Sequence, residues 1–436
     1  MILVSLPASL RERFERGLAL RQQGVRGRFA PSPSGALHLG NLRTALLSWL
    51  EARRCDGLWL LRLDDLDRPR VKPGAEESIL ADLQWLGLHW DGPLIRQSER
   101  RGLYASVLSA LRRSGVLYPC HCSRRLLADI SAPHGQLAVY PGHCRAQVPI
   151  WGEHQGRWPS WRLKLGEGPI AWQECWGAVG QLDGAREVGD VVLRRADGVV
   201  AYHLATAVDE LTLGITDVVR GDDLWCATGA QVAVCQALGY APPSYGHVPV
   251  LCDQEGHRLS KRVASEGLAA LRAQGMDPPA VIGKLAASAG LVAEGTRLST
   301  QELLAEVRGT WPGGEWGGEV FTKLPDSPPV RTGPSAAKCV NRHPLGPAMS
   351  SFPAQAPAAR VSAITTCPRC GGSGILRLAD GRFRTCLDCL GQGGLPHARS
   401  FRTPDKEDCR AHDGGQGSSG QQQENDSSPV CVHPGT

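Results

Sequence analysis

Two short stretches of this chain carry residue types suited to phosphate chemistry. In R-F-A-P-S-P-S-G-A-L-H-L-G-N, a turn shaped by Pro and Gly leads into a helix whose first residues include His38, Gly40 and Asn41. A helix start presents unpaired N–H groups and partial positive charge, and glycine lets an anionic group approach the backbone. Far along the chain, G-H-R-L-S-K-R at 256–262 puts Ser260, Lys261 and Arg262 on a loop led by glycine. A lysine there can meet the charge that develops as a phosphate is displaced. Taken singly, a histidine at a helix start is commonly a cap, and a basic loop is commonly solvated surface. Two such groups, each following a core strand, point to a nucleotide.

The cysteines give a second signal. Of 15, three fall as Cys120-His121-Cys122, then Tyr140, then Cys144, and four fall in the pairs Cys367/Cys370 and Cys386/Cys389. An odd count in a long chain argues against an extracellular disulfide framework, and these spacings argue for metal. Three thiolates and one further donor close a tetrahedral zinc site; by spacing alone the fourth donor is His121 or His143. The tail pairs form two C-x-x-C-x-G-x-G units with 15 residues between Cys370 and Cys386, an interval typical of a four-thiolate zinc site. Cys55, Cys175, Cys226, Cys235 and Cys252 sit among apolar neighbours and are expected as buried small hydrophobes.

Elements must hold these groups in place. Residues 9–22 read as a charged helix capped by Ser9, followed by a strand from 25, a helix through 38–54, a strand at 58–63 and a helix at 75–88. Strand and helix alternating at these lengths mark a parallel α/β sheet. The alternation resumes at 199–209, 227–239 and 247–252, after a segment of about 116–190 that reads as an insertion. Helical spacing ends near Arg308, with Ser299 and Glu302 placed as a capping box. From 309 to 362 Gly, Pro, Ser and Ala displace large apolar residues, so this stretch reads as a linker. A module with the paired cysteines follows at 363–395, then a disordered end at 396–436. Residues 1–24 form an N-terminal extension to a catalytic region at 25–308.

Composition excludes several classes. With 48 Lys and Arg against 43 Asp and Glu, the chain permits an RNA partner without demanding one. No run approaches the ~18 apolar residues needed to cross a bilayer. The opening M-I-L-V-S-L-P is followed, not preceded, by charge, unlike a secretion signal. The expectation is a cytoplasmic, monomeric enzyme with no membrane contact.

The motifs together resemble the class I aminoacyl-tRNA synthetases of the glutamyl group. His38-Leu39-Gly40-Asn41 matches the HIGH signature and Arg258-Leu259-Ser260-Lys261-Arg262 the KMSKS signature. R-F-A-P-S-P-S-G, L-R-L-D-D-L-D-R-P-R and V-V-R-G-D-D-L narrow the match to glutamate-specific members over about residues 25–300. The resemblance implies a Rossmann-like parallel-sheet catalytic domain with a zinc-bearing insertion, acting as a ligase. It implies His38 and Lys261 as catalytic groups on ATP, which His38, Gly40, Asn41, Ser260 and Lys261 bind with Mg²⁺. It implies Arg28, Ser32, Asp64, Tyr202 and Arg220 around glutamate. Asp64 departs from the family's usual Glu, which keeps the charge and shortens the reach by one methylene.

Within that family, C-x-C with Y-x3-C is similar to the branch that loads glutamate onto the queuosine base of tRNA(Asp). That likeness implies Tyr140 as the fourth ligand beside Cys120, Cys122 and Cys144, around a structural zinc. The regular pattern also stops about 47 residues after Lys261, where glutamyl-tRNA synthetases continue into a helical anticodon-binding domain. The alternatives are a truncated synthetase charging tRNA(Glu) and a non-catalytic RNA-binding zinc protein on a synthetase fold. The tail units resemble half of the cysteine-rich region of DnaJ-type chaperones and imply a second zinc at Cys367, Cys370, Cys386 and Cys389.

Overall fold

The structure, a computed structural model, describes residues 4–123, 139–250 and 267–310, together with four short strands between 364 and 396. Cys252, the whole 256–262 motif with Ser260 and Lys261, and all four tail cysteines lie outside the described residues. So do the expected linker beyond Thr310 and the expected disordered end beyond Pro396.

Parallel strands form the centre. β1 (Arg26–Phe29) pairs with β2 (Leu58–Leu63), and β2 with β3 (Ile95–Arg96). Further along the chain, β9 (Asp217–Gly221) pairs with β10 (Ser244–Val248), also in parallel. The two groups meet where the Thr216 N–H donates to the Arg26 carbonyl at 3.0 Å. Helices cover both faces, as parallel strands require.

Strand alternation sorts the side chains between two cores. Trp59, Leu61 and Leu63 of β2 and Val219 of β9 pack with α2 (Leu39–Arg54), α3 (Ala75–Trp85), α8 (Pro278–Ala287) and α9 (Thr300–Thr310). Leu60 and Val218 face the other way. They pack with α1 (Ala8–Arg21), α4 (Arg101–Arg113), α5 (Tyr202–Thr212) and α6 (Trp225–Leu238). By the same period of two, Arg28, Arg62 and Arg220 belong to the second side, where apolar residues are otherwise the rule.

At the start of α1 the structure corrects the expected cap. The N-cap is Pro7, whose carbonyl accepts from the N–H groups of Leu10 and Arg11 at 3.0 Å, and Ser9 lies inside the helix. Proline's fixed φ suits that boundary, and no side-chain bond is made there. Gly17 allows α1 to lie against α5: a Cβ there would sit 1.9 Å from the Leu211 carbonyl oxygen. The Ser299–Glu302 capping box does form, with bonds of 2.7 and 3.2 Å.

The segment expected as an insertion is antiparallel. Its β4 (Leu117–Cys120) and β5 (Ser160–Leu163) make one sheet with β8 (Val192–Arg194), which lies just past its expected end. β6 (Pro169–Gln173) and β7 (Val179–Asp183) make a hairpin tied to β10 through the Cys175 N–H and the Tyr245 carbonyl. α7 (Leu268–Ala273) follows the undescribed segment 251–266. In the tail, Ile364–Thr366 pairs antiparallel with Gly394–Pro396, and Ile375–Arg377 with Phe383–Thr385.

Candidate active site

His38 closes the turn after β1 by capping α2. Its Nδ1 accepts from the Asn41 N–H at 3.3 Å, and Asn41 Oδ1 accepts in return from the His38 N–H at 3.5 Å. Because Nδ1 accepts, the neutral ring carries its proton on Nε2. Gly40 makes room for that ring, since a Cβ there would lie 3.1 Å from its Nδ1 and Cε1 atoms. His38 also forms a backbone bridge to Gly267, the first described residue after the segment that holds Lys261. At the other end of that segment, Arg43 of α2 donates to the Pro249 carbonyl and the Val250 N–H to Asp222. Both flanks of 251–266 are therefore fixed beside α2.

A cleft next to this turn is lined by Ser32, Pro33, Ser34, Asp64, Asp67, Arg70 and Val71. The Asp64 N–H donates to the Pro31 carbonyl at 3.0 Å, which binds the end of β2 to the turn. Arg62 grips the Asp64 carboxylate with two bonds, at 2.7 and 3.2 Å. Burial pushes the Asp64 carboxyl above its ordinary range while Arg62 pulls it back. Asp65 accepts from the Ser98 N–H and ties down the loop, while Asp67 lines the cleft and pairs with Arg195 at 3.5 Å.

Behind the cleft lies a core of buried charge. Arg28 donates to Glu210 at 3.1 Å and to the Val219 carbonyl at 3.3 Å. Arg220 donates to Gln231 at 2.7 Å, Thr228 at 2.5 Å and His247 at 3.4 Å, and lies over the Tyr245 ring. Glu174, on the insertion, accepts from Trp172 at 2.6 Å and lies 3.0 Å from His247 Nδ1. Burial drives the Tyr245 hydroxyl well above its usual range, with Glu210 adding to it and Arg220 and Arg28 opposing. Arg28, Asp64 and Arg220 thus share one side of the sheet at the carboxyl ends of its strands, where ligands sit in open α/β sheets. Ser32 lies exposed on the turn, and Tyr202 stands exposed at the start of α5.

The residues that the motifs missed are the partners: Arg62, Tyr104, Glu174, Asp209, Glu210 and His247. A signal did exist. Arg62 interrupts the apolar run L-W-L-L-R-L, and Asp209-Glu210 interrupts an otherwise apolar helix.

In the insertion, the thiols of Cys120, Cys122 and Cys144 lie within 4.8 Å of one another. The Tyr140 hydroxyl is 3.5 Å from Cys120 Sγ and 3.8 Å from Cys122 Sγ, and accepts from the Cys144 N–H at 2.8 Å. The Arg162 guanidinium lies over the Tyr140 ring at 3.7 Å and fixes its plane. Neither histidine expected from spacing joins the group: His121 Nε2 lies 2.9 Å from the Ile150 carbonyl, and His143 is exposed. A C-x-C turn alternates its side chains, which sends the middle residue outward. Burial, helped by the neighbouring thiols, pushes Cys122 up to about 12. Crowded thiols of this kind ionise together only around a cation, so the donor set fits zinc. Among the other thiols, Cys175 and Cys235 are buried as expected, whereas Cys226 is exposed and Cys55 half-buried, because each sits at a helix end.

Residues 24–305 match the family model described as tRNA synthetases class I (E and Q), catalytic domain. The chain is 56% identical over 304 residues to a glutamyl-Q tRNA(Asp) synthetase of Prochlorococcus marinus, covering 70% of this chain and 94% of that protein. It is 45% identical over 293 residues to a glutamyl-Q tRNA(Asp) synthetase of Symbiobacterium thermophilum, covering 64% of this chain and 90% of that protein. Among solved structures, a glutamate tRNA ligase from Elizabethkingia meningosepticum, in complex with its amino acid, superposes with a TM-score of 0.55 at 27% identity. That match covers 64% of each chain, so this chain spans less than two thirds of the ligase's length. Sheet, motifs and relatives agree, and the chain belongs to the class I tRNA synthetases of the glutamate and glutamine type, a family of ligases.

Proposed function

We propose that this chain activates glutamate with ATP, without tRNA, and transfers the glutamyl group to the queuosine base of tRNA(Asp). One observation carries the choice of acceptor. The match runs through 94% of the glutamyl-Q relative at 56% identity, against 64% of the glutamate tRNA ligase at 27%. The cluster of Cys120, Cys122, Tyr140 and Cys144 supports the same branch.

In this reading ATP lies over the start of α2. The His38 imidazole, oriented by its own cap, offers Nε2–H to the phosphates, and Lys261 completes their charge balance. Mg²⁺ accompanies the nucleotide. The substrate carboxylate attacks the α-phosphate in line, pyrophosphate leaves, and a hydroxyl of the acceptor then displaces AMP from the adenylate. Little covalent chemistry falls to the protein, whose task is placement and electrostatic stabilisation. Arg28 and Arg220 face the side-chain carboxylate, leaving the α-carboxylate free to react, Asp64 faces the ammonium, and Ser32 and Tyr202 close the pocket. A guanidinium fork selects carboxylate over amide because it offers two parallel donors. Cys120, Cys122, Tyr140 and Cys144 would hold a zinc ion that pins the insertion without touching the reaction.

The test measures glutamate transfer to queuosine-containing and queuosine-free tRNA(Asp), beside tRNA(Glu). Labelling confined to the queuosine-containing RNA is expected. Equal labelling of both forms, or labelling of tRNA(Glu), overturns the proposal.

A further inference from the structure

Asp209 and Glu210 are consecutive residues of α5, both fully buried, and the chemistry above uses neither. They address two adjacent strands. Glu210 holds Arg28 of β1 at 3.1 Å. Asp209 accepts from Tyr104 at 2.9 and 2.8 Å, from Gln97 at 3.0 Å and from Arg100 at 2.7 Å. Its carboxylate also lies 3.6 Å from Nε of Arg62 on β2, the residue that grips Asp64. Burial alone would lower the Arg62 pKa, but Asp64 and Asp209 outweigh it and raise it. The result is a balanced set of three guanidinium groups, Arg28, Arg62 and Arg100, against three carboxylates.

Stability does not account for this set. Each buried ion carries a desolvation penalty of several kcal/mol, and apolar residues of similar volume commonly serve a fold as well or better. Three buried atoms at the centre, Arg28 Nε, Arg62 Nη1 and Glu210 Oε2, have no hydrogen-bond partner among the described residues. That is the mark of a polar surface prepared for something else.

We infer that Asp209 and Glu210 are a positioning pair for the two ends of the amino-acid substrate. Asp209, acting through Arg62, sets the Asp64 carboxylate that takes the ammonium; Glu210 sets the Arg28 guanidinium that takes a carboxylate. The inference rests on the glutamate reading above. Neighbouring residues of an α-helix point about 100° apart, so one rigid helix reaches both strands and fixes the spacing between the two ends. The clamp also gives the shortened Asp64 a single orientation.

Pyrophosphate exchange by the full chain, with glutamate, glutamine and L-2-hydroxyglutarate, tests the pair. Arg62→Lys keeps the charge and removes the fork, so KM for glutamate rises about tenfold while KM for ATP moves less than about twofold. Inhibition by 2-hydroxyglutarate, which lacks the amino group, stays as in the wild type. Glu210→Gln keeps an acceptor for Arg28 and removes the charge, and the preference for glutamate over glutamine falls about tenfold. Tyr104→Phe removes one bond to Asp209 without removing charge; it shifts KM for glutamate in the same direction as Arg62→Lys and by less, and covers the case in which Arg62→Lys fails to fold. Variants with wild-type kinetics, or with both KM values rising together as the melting temperature falls, overturn the inference. No glutamate-dependent exchange by the wild type overturns the substrate reading instead.

Discussion

The pocket behind β1 and β2 and the thiol cluster in the insertion are two kinds of buried polarity. In the pocket, guanidinium and carboxylate groups neutralise one another, with Arg28 on Glu210 and Arg62 between Asp64 and Asp209. The cluster holds three like donors and a phenol, and burial raises Cys122 to about 12. The first needs no ion and keeps its dipoles fixed before substrate arrives, which is how preorganised sites act. The second is a donor set that fits a cation, whose charge would offset the repulsion between neighbouring thiolates. The pocket is therefore expected to answer to substitutions that change orientation, and the cluster, on the proposed zinc reading, to chelation.

The largest effect is expected at His38, where cap and chemistry coincide. His38→Asn supplies one of the best N-cap residues, so the melting temperature should stay close to the wild type. Exchange should fall by roughly 10²–10³, the usual cost of losing one preorganised donor. A loss of stability matching the loss of activity would mean that the imidazole serves only as a cap. The cluster should show the reverse pattern. Cys122→Ser, or treatment with a strong chelator, should release about one equivalent of zinc and lower the melting temperature, with KM for ATP changing less than about twofold. Zinc content is read by elemental analysis, and no bound metal in the wild type would remove the contrast.

How legible each region was follows from sequence distance. Cys120, Cys122, Tyr140 and Cys144 fall within 25 residues, and thiols are rare enough for spacing to carry meaning. Spacing by itself pointed to His121 or His143 as the fourth donor, and neither lies with the thiols, because spacing does not say which way His121 turns. The turn at His38 was legible since its cap, glycine and asparagine are neighbours. Arg28 and Glu210 stand 182 positions apart, and Tyr104 and Asp209 stand 105 apart. Nothing local in the sequence pairs them. Only the return of β9 beside β1, with α5 lying over it, brings them together, although a lone charge in an apolar strand did mark Arg62.

Acid should separate the two regions by a smaller effect. Burial, and then Arg220, pushes His203 down from 6.5 to about 4. Below pH 6.5 the unfolded chain takes up a proton that the folded chain refuses until about pH 4. Stability is thus full above 6.5 and falls through that window. Metal release adds its own proton dependence, so the measurement belongs on Cys122→Ser, comparing it with Cys122→Ser/His203→Gln. The added substitution should flatten the melting temperature between pH 6.5 and 4. Parallel curves would show that His203 does not govern the acid response.

The smallest effect lies outside both regions. The box at the start of α9, with Ser299 and Glu302 bonded to each other's N–H groups, has the same form as the His38–Asn41 box. Its side chains do not line the cleft at the Ser32–Asp64 turn, and α9 meets the core through Leu303, Leu304 and Val307. Ser299→Ala should then lower unfolding free energy by about 1 kcal/mol and leave exchange kinetics unchanged, as chemical denaturation and the exchange assay would report. Two caps of one form with opposite consequences would assign the activity lost in His38→Asn to the imidazole. A comparable fall in exchange with Ser299→Ala would assign it to the general firmness of the helices around the sheet.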